Sequence, residues 1–132
     1  MFPALLAGDG HVYFGPLLSS IEYVRAGKLR ALAVTTTTRS DVLPDVPVLS
    51  DTLPDYEASA WFGIGAPKST PVDLIERLNK EVNISIADPK FEARLANLAG
   101  TVLSGSPADF GKLISDETMK WGKVILAANI KP

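Results

Sequence analysis

His11 is the only histidine among the 132 residues, so any proton transfer by an imidazole must use it. Asp9 stands two positions before it and serines are spread along the chain, which makes a Ser-His-Asp arrangement the first chemistry to weigh. The pattern argues against it. No Gly-x-Ser-x-Gly elbow is present, and a lone histidine beside a strand entry is expected to be simply exposed. A metal centre meets the same obstacle: one histidine, no cysteine, and no Asp/Glu cluster at ligand spacing. Gly8-Asp9-Gly10 is too short for a dinucleotide fingerprint and precedes a strand instead of following one. It reads as a helix stop and turn. No Walker-type loop occurs. The chain is therefore expected to hold no catalytic residue, no metal and no cofactor. A small hydrolase built on His11 is the third functional reading, after a binding role and a scaffold role.

Three places could bind without reacting. Gly15-Pro16 follows a short strand and opens a helix. In α/β sheets ligands sit beyond the carboxyl ends of strands, and helix-terminal N–H groups attract carboxylates without any cationic side chain. An ordinary strand-to-helix turn fits the same residues equally well. Trp61-Phe62 could stack on an aromatic ligand, but adjacent residues of a strand face opposite ways. One ring is therefore expected in the core and the other on the opposite face. Glu117 interrupts an apolar stripe between Ile114 and Trp121. It is expected at the stripe's edge, satisfied by a nearby lysine or a backbone group.

The elements that must position these residues follow from periodicity and punctuation. Phe2 to Ala7 reads as the last turns of a helix. His11-Val12-Tyr13-Phe14 has the β-branched and aromatic character of a short strand. Leu17, Leu18, Ile21 and Val24 recur at helical spacing, with Gly27 as a stop. Leu29 to Val34 is apolar except for Arg30 and suits a strand covered on both faces of a parallel sheet. Strand, helix, strand predicts a right-handed βαβ unit. Thr35 to Pro54 reads as a long crossing loop with a short helix near Val48 to Thr52. Ser59 to Ala66 reads as a strand.

Thr70-Pro71, Asp88-Pro89 and Ser106-Pro107 each place a capping oxygen before a proline, so three helix starts are predicted. Asp73 and Asp109 would face the helix dipoles. The stripes are Ile75, Leu78, Val82, Ile86, then Phe91, Leu95, Leu98, then Phe110, Leu113, Ile114, Trp121, Val124, Ile125. Thr101 to Leu103 is a short strand candidate. The fold class is α/β.

Composition narrows the function classes. Apolar residues at 46% and charged residues at 21% describe an ordinary globular chain, long enough to bury a core. A net charge of -2 offers no basic excess to neutralise phosphates, which argues against nucleic acid and anionic membranes. Without cysteine there are no disulfides. No apolar run approaches the roughly 18–20 residues of a membrane span. Met1 to Ala7 lacks the basic start and long apolar core of an export signal.

Taken in order, Ala26-Gly27-Lys28-Leu29-Arg30-Ala31-Leu32-Ala33-Val34-Thr35, Arg39, Leu43-Pro44-Asp45-Val46-Pro47, Trp61-Phe62-Gly63, Ala66-Pro67 and Thr70-Pro71 form a series. Arg77-Leu78-Asn79, Ala87-Asp88-Pro89, Ser106-Pro107 and Trp121-Gly122-Lys123 continue it. The series resembles the later part of the receptors of tripartite tricarboxylate transporters, the Bug receptors. The resemblance implies a periplasmic-binding-protein type II-like α/β fold, present only in part. Residues 1–55 would form part of the second lobe, 56–60 the hinge region, and 61–132 the return to the first lobe.

It also implies a non-enzymatic solute receptor for dicarboxylates, amino acids or aromatic acids, working with membrane transporter subunits. The ligand-binding residues carried over are Phe14, Gly15, Pro16 and Leu17. The family's export signal, first-lobe strands and Gly-rich second-lobe start have no counterpart here, and Val48-Leu49-Ser50-Asp51 stands where the family has Thr-x-x-Glu. A chain so reduced would leave apolar faces uncovered, so self-association is expected. The resemblance implies the periplasm, whereas the chain as written, if complete, would remain in the cytoplasm. The alternative reading is a standalone interaction or structural module that has lost ligand capture.

Overall fold

The computed structural model describes residues 1–131. Among them the regular elements are five α-helices: α1 (Phe2–Ala7), α2 (Leu17–Arg25), α3 (Val72–Ile86), α4 (Pro89–Asn97) and α5 (Pro107–Ala127). One 3-10 turn spans Leu49–Asp51, where a short helix was predicted. The chain divides into two compact units, Met1–Phe62 with Pro89–Val102, and Gly63–Asp88 with the chain from Leu103 onward.

The first unit is held by contacts around α2. Ile21 is fully buried, with Ser20 and Val48 the other buried residues. Phe2 of α1 meets the Tyr13 ring edge-on at 5.1 Å and stacks on Tyr23 of α2 at 4.8 Å. Gly8 and Gly27 take positive φ just beyond the ends of α1 and α2, as a helix stop requires. Arg25, at the end of α2, pairs with Glu22 and donates from Nη2 to the carbonyl of Asn97 at 2.9 Å. That bond satisfies an orphan carbonyl at the end of α4 and ties α4 to this unit.

The predicted strands are the main difference between sequence and structure. His11 to Phe14, Ser59 to Ala66 and Thr101 to Leu103 form no β-ladder among the described residues. Leu29 to Val34 contributes one parallel bridge, Val34 with Val48. The helix of the predicted βαβ unit is present, but its two flanking segments do not pair. The physical reason is the difference between local and non-local order. A helix satisfies its backbone within itself, whereas a strand needs a neighbour's N–H and C=O groups.

The long crossing from Thr35 is not a free loop. Val34 N–H donates to the Pro47 carbonyl at 2.9 Å and Leu49 N–H to the Val34 carbonyl at 2.8 Å. Ala58 N–H donates to the Thr35 carbonyl, and the Thr35 hydroxyl returns a bond to the Ala58 carbonyl at 2.7 Å. Within the crossing, Arg39 donates to the Pro44 carbonyl and lies 3.7 Å from the Asp51 carboxylate.

In the second unit α3 packs on α5. Asn79 and Asn83, one turn apart on α3, both donate to the Gly105 carbonyl at 2.9 and 3.0 Å, and Gly105 N–H returns a bond to Asn83 Oδ1. This clamp fixes the entry to α5, and the sequence reading contained nothing of it. Ser106 and Asp109 then form a reciprocal capping box, each side chain accepting the other residue's backbone N–H. Thr70 does not cap α3 as predicted. Pro71 occupies the cap position and no side chain bonds there, because the helix begins one residue later than the Thr-Pro pattern implies.

Ser106→Ala is expected to weaken the first turn of α5 by about 1 kcal/mol. Hydrogen exchange should read this as roughly fivefold faster exchange at Asp109 and Phe110. The Ser106 side-chain and backbone hydrogen bonds hold the Asp109 carboxyl below its ordinary value. Its contribution is therefore complete above the unfolded-state carboxylate value and fades as pH falls through the lowered one. Acidification should lower the protection of the same amides, taken relative to the intrinsic exchange rate at each pH, and Asp109→Asn should remove that acid step.

A second prediction concerns α4. Ala99 takes the left-handed conformation at φ 61 while Gly100 N–H bonds back to the Leu95 carbonyl, a Schellman stop with alanine where glycine fits best. Ala99→Gly should slow exchange at Gly100, reflecting a gain of about 0.5–1 kcal/mol.

Candidate functional site

The residues that the sequence offers for ligand contact lie at the turn into α2. Pro16 occupies the cap position of α2 with φ -59, and no side chain caps the helix. Ser19 N–H and Ser19 Oγ both donate to the Pro16 carbonyl, so the turn is closed from within. The N–H groups of Leu17 and Leu18 have no acceptor among the described residues. They stand at the positive end of the helix dipole. Phe14 is 78% exposed, Gly15 and Pro16 are exposed, and Leu17 is half-buried. All four predicted binding residues thus lie on one short accessible turn.

Tyr13 sets the shape of this turn. Its ring lies over Gly15 so closely that a Cβ on Gly15 would overlap it. Its hydroxyl lies 3.3 Å from Ser19 Oγ, and Phe2 braces the ring. Glycine is needed at position 15 because an aromatic ring occupies the space of a side chain. The sequence reading took Tyr13 only as strand character. Its signal was the aromatic two residues before glycine, with serine six residues on.

The other candidates separate. His11 is exposed, and no serine or carboxylate is hydrogen-bonded to it among the described residues. Ser19, Ser20 and Ser85 spend their hydroxyls on backbone carbonyls of their own helices or caps. No group of His, Cys, Asp and Glu capable of holding a metal occurs among the described residues. No described helix is long and apolar enough to cross a membrane.

Trp61 is half-buried while Phe62 is 79% exposed, so the pair divides with the solvent side taken by Phe62. Gly63, next in line, lies under the Phe110 ring of α5, where a Cβ would overlap it. Glu117 is held on α5 by two neighbours. Trp121 Nε1 donates to it at 2.7 Å, and Lys120 Nζ lies 3.6 Å away. Lys120 Nζ also stands 5.3 Å from the Trp121 ring centroid. The lysine partner agrees with the sequence reading; the indole partner was not anticipated.

Comparison with known proteins fixes the relationship. Residues 1–130 match the family model described as tripartite tricarboxylate transporter family receptor. A relative from a Pseudomonas species, described as a UPF0065 protein in the tcbD-tcbE intergenic region, is 36% identical over 124 residues, covering 92% of this chain and 37% of its own length. Among solved structures, the R. palustris protein Rpa4515 with adipate superimposes with a TM-score of 0.93 at 31% identity, over 99% of this chain and 44% of that one. The periplasmic binding protein BugD superimposes with a TM-score of 0.80 at 29% identity, over 85% of this chain and 38% of that one.

The five helices and the extended segments between them are thus part of an α/β periplasmic-binding-protein fold. The chain spans well under half the length of the Pseudomonas relative and of the R. palustris protein. With its fold and its sequence both placing it among these solute receptors, the chain belongs to the family of tripartite tricarboxylate transporter receptors.

Proposed function

We propose that this chain contributes one wall of a solute cleft that holds a small carboxylated molecule and presents it to membrane transporter subunits, without making or breaking bonds. The observation that carries the reading is the pair of N–H groups without an acceptor among the described residues, Leu17 and Leu18, beside the Gly15-Pro16 turn. They offer a carboxylate two donors and a helix dipole, with no need for arginine or lysine. Dicarboxylates, amino acids and aromatic acids share the group such a site recognises, and adipate accompanies one structural relative. Residues 1–55 are assigned to the second lobe of the receptor, 56–60 to the hinge and 61–132 to the first lobe. The compact units seen here additionally group Pro89–Val102 with Met1–Phe62. Its place of work is the periplasm.

Magnitudes bound what the chain can do with this wall alone. A hydrogen bond to a charged group contributes about 1.5–3 kcal/mol. Two of them come near the roughly 4 kcal/mol of a millimolar dissociation constant. Calorimetric titration with adipate, other dicarboxylates and amino acids should therefore give saturable heat in the range of roughly 1 mM for at least one. Gly15→Val, which drives Tyr13 off the turn, should weaken that binding about tenfold or more. Absence of heat with every solute would favour the alternative reading, a module that keeps the scaffold without ligand capture.

Uncovered apolar surface leads to a second expectation. Phe14, Leu32, Phe62, Ile64, Leu103 and Leu126 are all exposed, far beyond the scattered apolar residues of a stable monomer. Size-exclusion chromatography with light scattering should find the isolated chain as a self-associated species. A monodisperse monomer at tens of micromolar (about the working range of such a measurement) would count against it.

A further inference from the structure

Tyr13 and Gly15 act as one unit. Gly15 lies outside the left-handed region that Gly8 and Gly27 occupy, so its backbone conformation does not itself demand glycine. What excludes a side chain is room. The atom that a Cβ on Gly15 would meet first is the Tyr13 hydroxyl oxygen, followed by the ring carbon that carries it. A polar oxygen thus stands where the side chain of residue 15 would be, delivered from two residues upstream. The ring that delivers it is held in place. Phe2 meets it edge-on at 5.1 Å, and Phe2 is itself stacked on Tyr23. Tyr13 is half-buried, while Gly15 and Ser19, the residues around its hydroxyl, are exposed.

Counting protons fixes what this oxygen can do. A serine hydroxyl has one proton to give. Ser19 Oγ gives it to the Pro16 carbonyl at 2.8 Å. The 3.3 Å contact between Ser19 Oγ and the Tyr13 hydroxyl therefore has the phenol as donor. The Tyr13 hydroxyl makes no other hydrogen bond among the described residues. Its own proton is spent on Ser19, and what it keeps is acceptor capacity. The Leu17 and Leu18 N–H groups on the same turn can only donate. The turn therefore offers both polarities, from fixed groups of opposite sense.

We propose that the Tyr13 hydroxyl is a specificity-determining acceptor, which selects carboxylates that carry an N–H or O–H donor next to the carboxylate, as α-amino and α-hydroxy acids do. The inference rests on the carboxylate reading of the turn given above and adds to it a second contact of opposite sense. A bare dicarboxylate brings acceptors alone, so it has nothing to give the phenol. The hydroxyl is linked through Ser19 to the same turn that holds the two N–H groups. A donor beside the bound carboxylate reaches it, whereas one at the far end of a long solute does not.

Adipate, 2-hydroxyadipate and 2-aminoadipate share a carbon chain and differ in the donor beside one carboxylate. Titration of the isotopically labelled chain with each at neutral pH, followed by the amide resonances of Leu17 and Leu18, gives their relative affinities even near millimolar values. The expected result is that 2-aminoadipate binds about tenfold more tightly than adipate, and 2-hydroxyadipate about threefold. The hydroxy acid separates a hydrogen bond from simple attraction of a cation. Tyr13→Phe keeps the ring and removes the oxygen, and should bring both ratios to about one. Tyr13→Ala should do the same. Adding Gly15→Ser to Tyr13→Ala places a hydroxyl on residue 15 itself, in the room the ring vacates, and should restore the preference for 2-aminoadipate.

Equal binding of the three acids by the native chain would overturn the inference while leaving the carboxylate reading in place. So would a Tyr13→Phe chain that binds all three more weakly with the ratios intact, the mark of a ring that only positions the turn. A preference for 2-aminoadipate with 2-hydroxyadipate no better than adipate would also overturn it, since charge alone would then select. Binding of none of the three would remove the carboxylate reading and this inference together.

Discussion

The parallel pairing of Val34 with Val48 is the contact on which the order of the first unit depends. It is the one β-bridge among the described residues, and it joins positions fourteen apart across a proline-rich crossing. Val48 is buried there, and Leu49, next in line, opens the 3-10 turn. The Thr35–Ala58 exchange follows immediately on the other side. Within the segment from Thr36 to Glu57, Arg39 reaches the Pro44 carbonyl and the Asp51 carboxylate. The exposed Arg39–Asp51 pair alone is worth little. The bridge therefore converts a loop with high closure entropy into a fixed excursion.

This accounts physically for motif residues that sequence comparison alone treats as a family label. Arg39 and the Leu43-Pro44-Asp45-Val46-Pro47 run lie inside the excursion. Arg39 bonds the Pro44 carbonyl, while backbone turns close Ser40 to Leu43 and Leu43 to Val46. Pro47, whose carbonyl receives the Val34 N–H, needs no donor of its own at that point. The Trp61-Phe62-Gly63 motif has a similar explanation at its last residue, where the Phe110 ring leaves no room for a side chain.

Helices were legible in the sequence and strands were not. α2 ends as its leucine-isoleucine spacing and Gly27 predicted, α4 starts at the predicted proline, and α5 starts at the Ser106-Pro107 signal with its acidic partner in place. These are local determinants, read within four or five residues. The capping of α3 was misjudged for an equally local reason, since Thr-Pro can place either residue at the cap. Strand character at Val12 to Phe14 and Thr101 to Leu103 was read from side-chain type, which states a preference for burial in a sheet without supplying the neighbour. The turn that holds the candidate residues lies between these cases. Phe14, Gly15, Pro16 and Leu17 do share one accessible turn. The Tyr13 ring that shapes it depends on Phe2, eleven residues away, and no local pattern encodes that contact.

The same division between local and non-local order explains why so ordered a chain buries so little. Helices α3 and α5 complete their hydrogen bonds internally, yet Leu78, Ile84, Ile114, Val124 and Ile125 on them remain exposed. Caps, the Asn79–Asn83 clamp and the Arg25–Asn97 bond define which conformation is adopted, but each contributes only about 1–3 kcal/mol. Specificity is thus written into the chain in full, while much of the stabilising area is left on its surface. Cover over Leu32, Phe62 and the exposed apolar residues of α3 and α5 would add stabilising area without changing the hydrogen bonds that define the conformation.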